Sequence, residues 1–225
     1  MKKSLILLSA LLLLVLNLTA VAQEDIEEIE EVERDVLEIV LFGGVDSPVG
    51  KMLEWKDTLG AKVGYDFGFD LGYFITESLV GGLGFRFSEY SIDASEDDNA
   101  AGNLKHRSYS PNLYLKYYLL PVSNFSPYAK ANVGLTFLKF TTWVENENGD
   151  RYRQISYDPA TTFGFGGGFF LYTANYGGFF VESNYYLINS KNIEAVYEGD
   201  TYLFGDNVSA WDVRGGIRIL IGSGE

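Results

Sequence analysis

The chain has 225 residues, a formal charge of −14, one histidine, no cysteine, 25 glycines, 16 tyrosines and 16 phenylalanines. That length suits one barrel or sandwich domain with a real core. The acidic balance argues against a nucleic-acid partner, which needs a basic face to neutralise phosphates, and without cysteine there is neither a disulfide, a thiolate nucleophile nor a lipid-modified cysteine anchor.

The first 22 residues read as a secretory signal peptide. Lys2 and Lys3 form a basic start, an apolar run follows from Leu5 to Leu16, and Ala20-Val21-Ala22 supplies an A-x-A cleavage site. The run is short for a membrane-spanning helix, so cleavage after Ala22 is expected. Cleavage removes two lysines and no acid, taking the formal charge from −14 to −16. Residues 23–36 form an acidic segment with Arg34 as its only cation. Ile26, Ile29 and Val32 would permit a short amphipathic helix, but so dense a charge run reads as a solvated periplasmic tail.

Eight strand-like segments fill residues 37–222. The first, about Leu37–Val45, sets Leu37, Ile39, Leu41 and Val45 on one face. The second, Leu59–Tyr73, is the most regular. Its odd positions are all apolar or aromatic, and its even positions are Gly60, Lys62, Gly64, Asp66, Gly68, Asp70 and Gly72. Strict alternation is the mark of a strand with two unlike faces. A tight turn at Ile75–Ser78 leads into the third, Leu79–Ser91, and the fourth runs over about Ser108–Leu120. Pro121 and Pro127 bracket the next turn. The fifth runs from Tyr128 towards Trp143, and the change of pattern near Leu138-Lys139-Phe140 suggests a bulge or the end of the apolar band. The sixth is Ala160–Tyr172, the seventh Gly178–Asn189 and the eighth Val208–Ile221.

Connections alternate in length. Long polar loops are expected at about 47–57, 93–107, 145–158 and 190–207, with short turns between them. This predicts an all-β fold, an eight-stranded antiparallel up-and-down transmembrane β-barrel with both termini on the short-turn side.

Volume decides which face is inside. Eight strands enclose a space only just filled by their own side chains, and the Leu, Phe, Tyr and Val residues of the apolar face are too many for it. The glycine and charged face suits a narrow lumen, so the apolar face meets lipid. The lumen is then expected to hold Lys62, Arg86, Lys116, Lys130, Arg214 and Arg218 against Glu38, Asp66, Asp70, Glu182 and Asp212. Unpaired buried charges are costly, so these should form a structural ion-pair network; a narrow ion path is the other reading. Aromatics should form two girdles at the membrane surfaces. Tyr73, Tyr117, Tyr176 and Phe179 lie towards the turns, and Phe87, Tyr109, Trp143, Tyr185 and Trp211 towards the loops.

In architecture, signal peptide and glycine–aromatic alternation, Leu37 to Gly222 resembles the small outer-membrane β-barrel proteins of the OmpA, OmpX and OmpW type. The resemblance rests on no single residue motif. Such proteins usually end on an aromatic residue that resembles a sorting signal, whereas this sequence ends Ile219-Leu220-Ile221-Gly222-Ser223-Gly224-Glu225. The resemblance implies a bacterial outer-membrane location reached by export, with outer-membrane lipid, lipopolysaccharide, the barrel-insertion machinery and periplasmic chaperones as partners. The near-balanced lumen charge favours a structural or surface-interaction role presenting four loops, with a porin-like narrow pore or an OmpW-like path for small apolar solutes as the alternative.

Some barrels of this type modify lipids through a histidine with Ser or Asp. Here His106 is read as a solvated residue of the second long loop, with Ser108 two positions on, and no spacing marks a catalytic set. Asp93, Glu96, Asp97, Asp98 and Asn99 are oxygen-rich but lack the EF-hand spacing. The glycine runs precede no helix and carry no GK[ST]. No catalytic residue, metal site or cofactor is assigned. Tyr197, Tyr202, Leu203 and Phe204 in the fourth loop fit either a partner surface or strand extensions above the membrane.

Overall fold

In the computed structural model the described residues are 36–49, 62–91, 105–120, 124–144, 151–174, 177–191, 194–197, 200–203 and 207–222. They form eleven strands: β1 (Val36–Val49), β2 (Gly64–Phe74), β3 (Leu79–Ser91), β4 (Lys105–Tyr118), β5 (Phe125–Val144), β6 (Arg151–Ser156), β7 (Ala160–Ala174), β8 (Gly177–Asn189), β9 (Glu194–Tyr197), β10 (Asp200–Leu203) and β11 (Val208–Gly222). The signal peptide, the acidic segment and the Asp93–Asn99 cluster lie outside the described residues.

Eight strands close on themselves. Each of β1, β2, β3, β4, β5, β7, β8 and β11 pairs antiparallel with two of the others, and the β4–β5 and β1–β11 ladders complete the ring. Closure removes every free edge from the ring, which a backbone surrounded by hydrocarbon requires. No helix among the described residues is long and apolar enough to cross a membrane, which says nothing of a barrel that crosses with strands.

One parity runs round the whole ring. Even-numbered residues face inward and odd-numbered residues outward on all eight barrel strands, as the alternating burial of β1, β2, β4 and β11 shows. Among the described residues thirty large apolar side chains are exposed, from Leu37, Leu41 and Val45 on β1 to Ile217, Ile219 and Ile221 on β11. A water-soluble monomer does not carry an apolar belt of that extent. Lipid on the outside explains it, and the narrow interior then has to be built from charges, glycines and a few aromatics.

Several strands outrun the segments read from sequence, and β2 starts late. β1 continues to Val49, because Asp46, Ser47 and Pro48 stay paired with β11. β2 begins at Gly64, five residues later than the alternating pattern, and residues 59–61 are not among those described. The change of pattern at Leu138–Phe140 is not a bulge. β5 keeps one register with β4 from Lys105↔Thr141 to Tyr118↔Tyr128, and the lumen simply becomes apolar there. The loop expected at 145–158 contains β6, which folds back on the upper part of β5. The last loop contains the β9–β10 hairpin, a separate two-stranded sheet, so Tyr197, Tyr202 and Leu203 belong to strands of their own.

Candidate functional site

The lumen holds the densest chemistry of the molecule. Its turn end is filled by Val40, Phe42, Val80, Tyr114, Tyr118, Tyr128, Phe170 and Phe180, with Phe74 and Tyr172 packed against them. Glu38 sits in this aromatic layer, fully buried near the start of β1. Lys116 Nζ donates to it at 2.5 Å, Arg218 Nε lies 2.6 Å away, and the hydroxyls of Tyr118 and Tyr114 donate at 2.9 and 3.3 Å. Arg218 also stacks over Tyr118 and Phe170, with its guanidinium carbon 4.7 and 4.5 Å from the ring centres. One carboxylate thus gathers two cations and two phenols from β4 and β11.

The second layer is centred on Glu182. Arg214 Nε donates to it at 2.5 Å, Tyr128 at 2.6 Å and Asn184 at 3.2 Å, and Lys130 lies 3.7 Å away while donating to Asp70. Gly84 makes room for this layer. A Cβ built there would come 2.5 Å from Asp70 Oδ1 and 2.8 Å from Asn112 Oδ1.

The third layer lies towards the loops and is looser. Arg86 Nη1 is 3.5 Å from Asp46 and 3.8 Å from Asp212, and Arg214 is 3.8 Å from Asp212 and 3.9 Å from Asp66. Tyr90 donates to Asp46 at 2.6 Å, and Arg86 stacks on Tyr186 with 3.6 Å between its guanidinium carbon and the ring centre. Both carboxylate oxygens of Asp66 and two guanidinium nitrogens of Arg86 are buried without a hydrogen bond among the described residues.

The buried charges differ from the expected set at two positions. Lys62 lies ahead of β2 and is exposed, so the strand parity that assigned it to the lumen does not reach it. Asp46 is fully buried in the lumen, although its Asp-Ser-Pro context reads as the start of a loop. Among the described residues, the lumen therefore carries five cations (Arg86, Lys116, Lys130, Arg214, Arg218) and six carboxylates (Glu38, Asp46, Asp66, Asp70, Glu182, Asp212). Only the continuation of the odd–even parity past Val45 could have signalled Asp46.

Above the charges the interior is apolar again, built from Leu138, Phe140, Ala160, Ile188 and Val208 with Tyr157 against them. His106 belongs here. It lies on β4 rather than in a loop, is buried rather than solvated, and meets Phe140 edge-on with 3.9 Å between ring centres. Ser108 is buried on the same strand. Among the described residues no group of three His, Asp or Glu side chains is arranged to hold a metal ion.

On the outer wall, Tyr73, Tyr117 and Phe179 are exposed towards the turns and Trp211 towards the loops, with Phe87, Tyr109 and Tyr185 half-buried there. Trp143 lies in β5, and Tyr176 falls outside the described residues. Phe87 joins Phe67 and Tyr109 at ring-centre distances of 4.9 and 5.2 Å.

No protein-family model matches the chain, and no curated protein matches it in sequence. Solved structures do match in shape. The outer membrane protein OprG from Pseudomonas aeruginosa aligns with a TM-score of 0.56 at 13% identity, over 87% of this chain and 100% of that one. Neisserial surface protein A aligns with a TM-score of 0.51 at 14% identity, over 84% of this chain and 99% of that one. The chain has the fold of the small outer-membrane β-barrels.

Proposed function

We propose that this protein is an integral β-barrel of the bacterial outer membrane whose lumen is closed by its own side chains, and whose work is done by its wall and loops. It is a structural or surface-interaction protein rather than an enzyme. The observation that carries the reading is Glu38 with its three donors, Lys116, Tyr114 and Tyr118, and its ion pair with Arg218. A carboxylate held from β4 and β11 at once, inside a layer of packed aromatics, supports a turn end closed to water. Desolvated charges that keep their partners are held firmly, because removing the sole partner of a buried charge leaves it uncompensated. The deciding experiment is conductance of the refolded protein in a planar bilayer. Silence from a barrel that shows heat-dependent gel migration supports the closed lumen; steady openings overturn it and make the lumen charges a filter.

A second reading draws on the apolar interior above the charges. Leu138, Phe140, Ile188 and Val208 line the loop end with hydrocarbon, which suits a small apolar solute entering from outside and leaving sideways, because the turn end is blocked. Uptake of a hydrocarbon by lipid vesicles carrying the barrel would favour this reading. A lipid-modifying enzyme is the most distant alternative: His106 faces Phe140, and a base needs its nucleophile and an orienting group within hydrogen-bond reach.

A further inference from the structure

The outer wall of β2 to β5 carries a feature that the closed lumen does not explain. Register places Tyr65, Glu89, Arg107 and Lys139 directly opposite one another on four adjacent strands. All are odd-numbered and stand on the outer side of the ladder, with Glu89 buried beneath the Lys105 and Arg107 side chains that bond to it. Lys105 stands two residues before Arg107, at the loop-side start of β4. The next row towards the turns is aromatic throughout: Phe67, Phe87, Tyr109 and Phe137, paired in the same sequence. A charged row therefore lies immediately above an aromatic row on a wall that is otherwise apolar. Interfacial aromatics mark the headgroup level of a bilayer.

The charges in this row do not balance. Lys105 Nζ donates to Glu89 at 2.5 Å and Arg107 Nε at 2.7 Å, so one carboxylate is shared by two cations. Lys139 lies over the Tyr109 ring, 5.3 Å from its centre, with no ion pair among the described residues. Three cations face one anion on a chain whose formal charge is −14. The side chains of Lys105 and Arg107 are 37% exposed. Arg107 spends Nε on Glu89, which leaves the two Nη groups to form the paired donors that an oxyanion accepts.

We infer that Arg107 and Lys139, with Lys105 above them, form a site on the outer wall for the phosphate of an anionic lipid headgroup. The inference rests on the lipid-facing reading of that wall. Glu89 fixes the register of the two cations beside it, the aromatic row below receives the first carbons of the acyl chains, and Lys139 supplies the second charge. A soluble anion would find the same cations but would gain nothing from the aromatic row. The lipid is therefore the better occupant.

The test uses the full refolded barrel in phosphatidylcholine nanodiscs doped with phosphatidylglycerol, with retained lipids counted by native mass spectrometry. The wild-type barrel should retain phosphatidylglycerol in preference to phosphatidylcholine. R107Q/K139Q should lower that preference by about fivefold for each cation removed, and K191Q, a change at an exposed lysine away from the row, should leave it intact. Heat-dependent gel migration checks that each variant is folded. Equal retention of the two lipids, or an unchanged preference in R107Q/K139Q, overturns the site. Displacement by inorganic phosphate at the lipid's own concentration also overturns it and assigns the cations to a free anion. A barrel that never enters the discs sinks the lipid-facing reading; one that enters without headgroup preference sinks the site alone.

Discussion

Asp46 stands directly opposite Asp212 across the β1–β11 ladder, both fully buried, and Arg86 reaches both from β3 at 3.5 and 3.8 Å. Two like charges in register repel, so the arginine is what makes the pair tolerable. Replacing Arg86 with Gln leaves the carboxylates facing each other and should cost about 3 kcal/mol, as loss of one partner from a buried pair does. Asp46→Asn should be neutral or slightly stabilising, because its amide oxygen still accepts from Tyr90 and the repulsion disappears. Denaturant unfolding in detergent micelles measures both; equal destabilisation by the two changes would show that Arg86 does not serve this pair.

Glu38→Ala removes the carboxylate that Lys116 and Arg218 share, leaving two buried cations facing each other without it. The barrel should lose about 3 kcal/mol, and brief current openings should appear in a planar bilayer where the wild type is silent. A variant as stable and as silent as the wild type would place the closure elsewhere in the lumen.

Much of this architecture is legible in the sequence because lipid imposes a simple rule on the outer face. Leu71, Phe69 and Phe67 alternate with Asp70, Gly68 and Asp66; that alternation separates the two faces, and the small volume enclosed by eight strands assigns the apolar one to the outside. Strand ends obey a different rule. Asp46-Ser47-Pro48 has the composition of a turn, yet it stays in the ladder because Tyr90 and Arg86 hold Asp46 from across the lumen. His106 looks like a loop residue until β4 is seen to pair with β3 and β5 as far as Lys105. The same parity that finds Asp66 misplaces Lys62, which precedes the first paired residue of β2. Cross-lumen partners decide these cases, and no local pattern encodes which residues a closed ring will bring together.

Glycine 84 and glycine 43 give opposite expectations for one substitution. A methyl group at Gly84 would press on Asp70 and Asn112, disturbing the carboxylate that holds Lys130. At Gly43, on the outer face, the nearest atom to an added Cβ is 3.7 Å away. Gly84→Ala should cost about 2 kcal/mol, in the range for overfilling a packed interior, and lower the refolding yield; Gly43→Ala should be close to neutral. Equal yields for the two would mean that the lumen is not packed to the density of a folded core.

His106→Ala separates a packing role from a chemical one. The imidazole lies edge-on to Phe140, which in turn meets Tyr157 edge-on at 5.4 Å between ring centres, so the three rings pack as one edge-to-face cluster in the apolar interior. Truncation leaves a void beside Phe140 and should lower stability by about 2–3 kcal/mol, the lower part of the range for cutting a large buried side chain back to alanine. The lipid composition of membranes carrying the variant should match that of membranes carrying the wild type, as read by mass spectrometry of extracted lipid. His106→Phe should recover part of the stability, because an aromatic ring refills the space. Unchanged stability together with an altered lipid profile would reverse the assignment, since a residue that only packs cannot change the lipid around it.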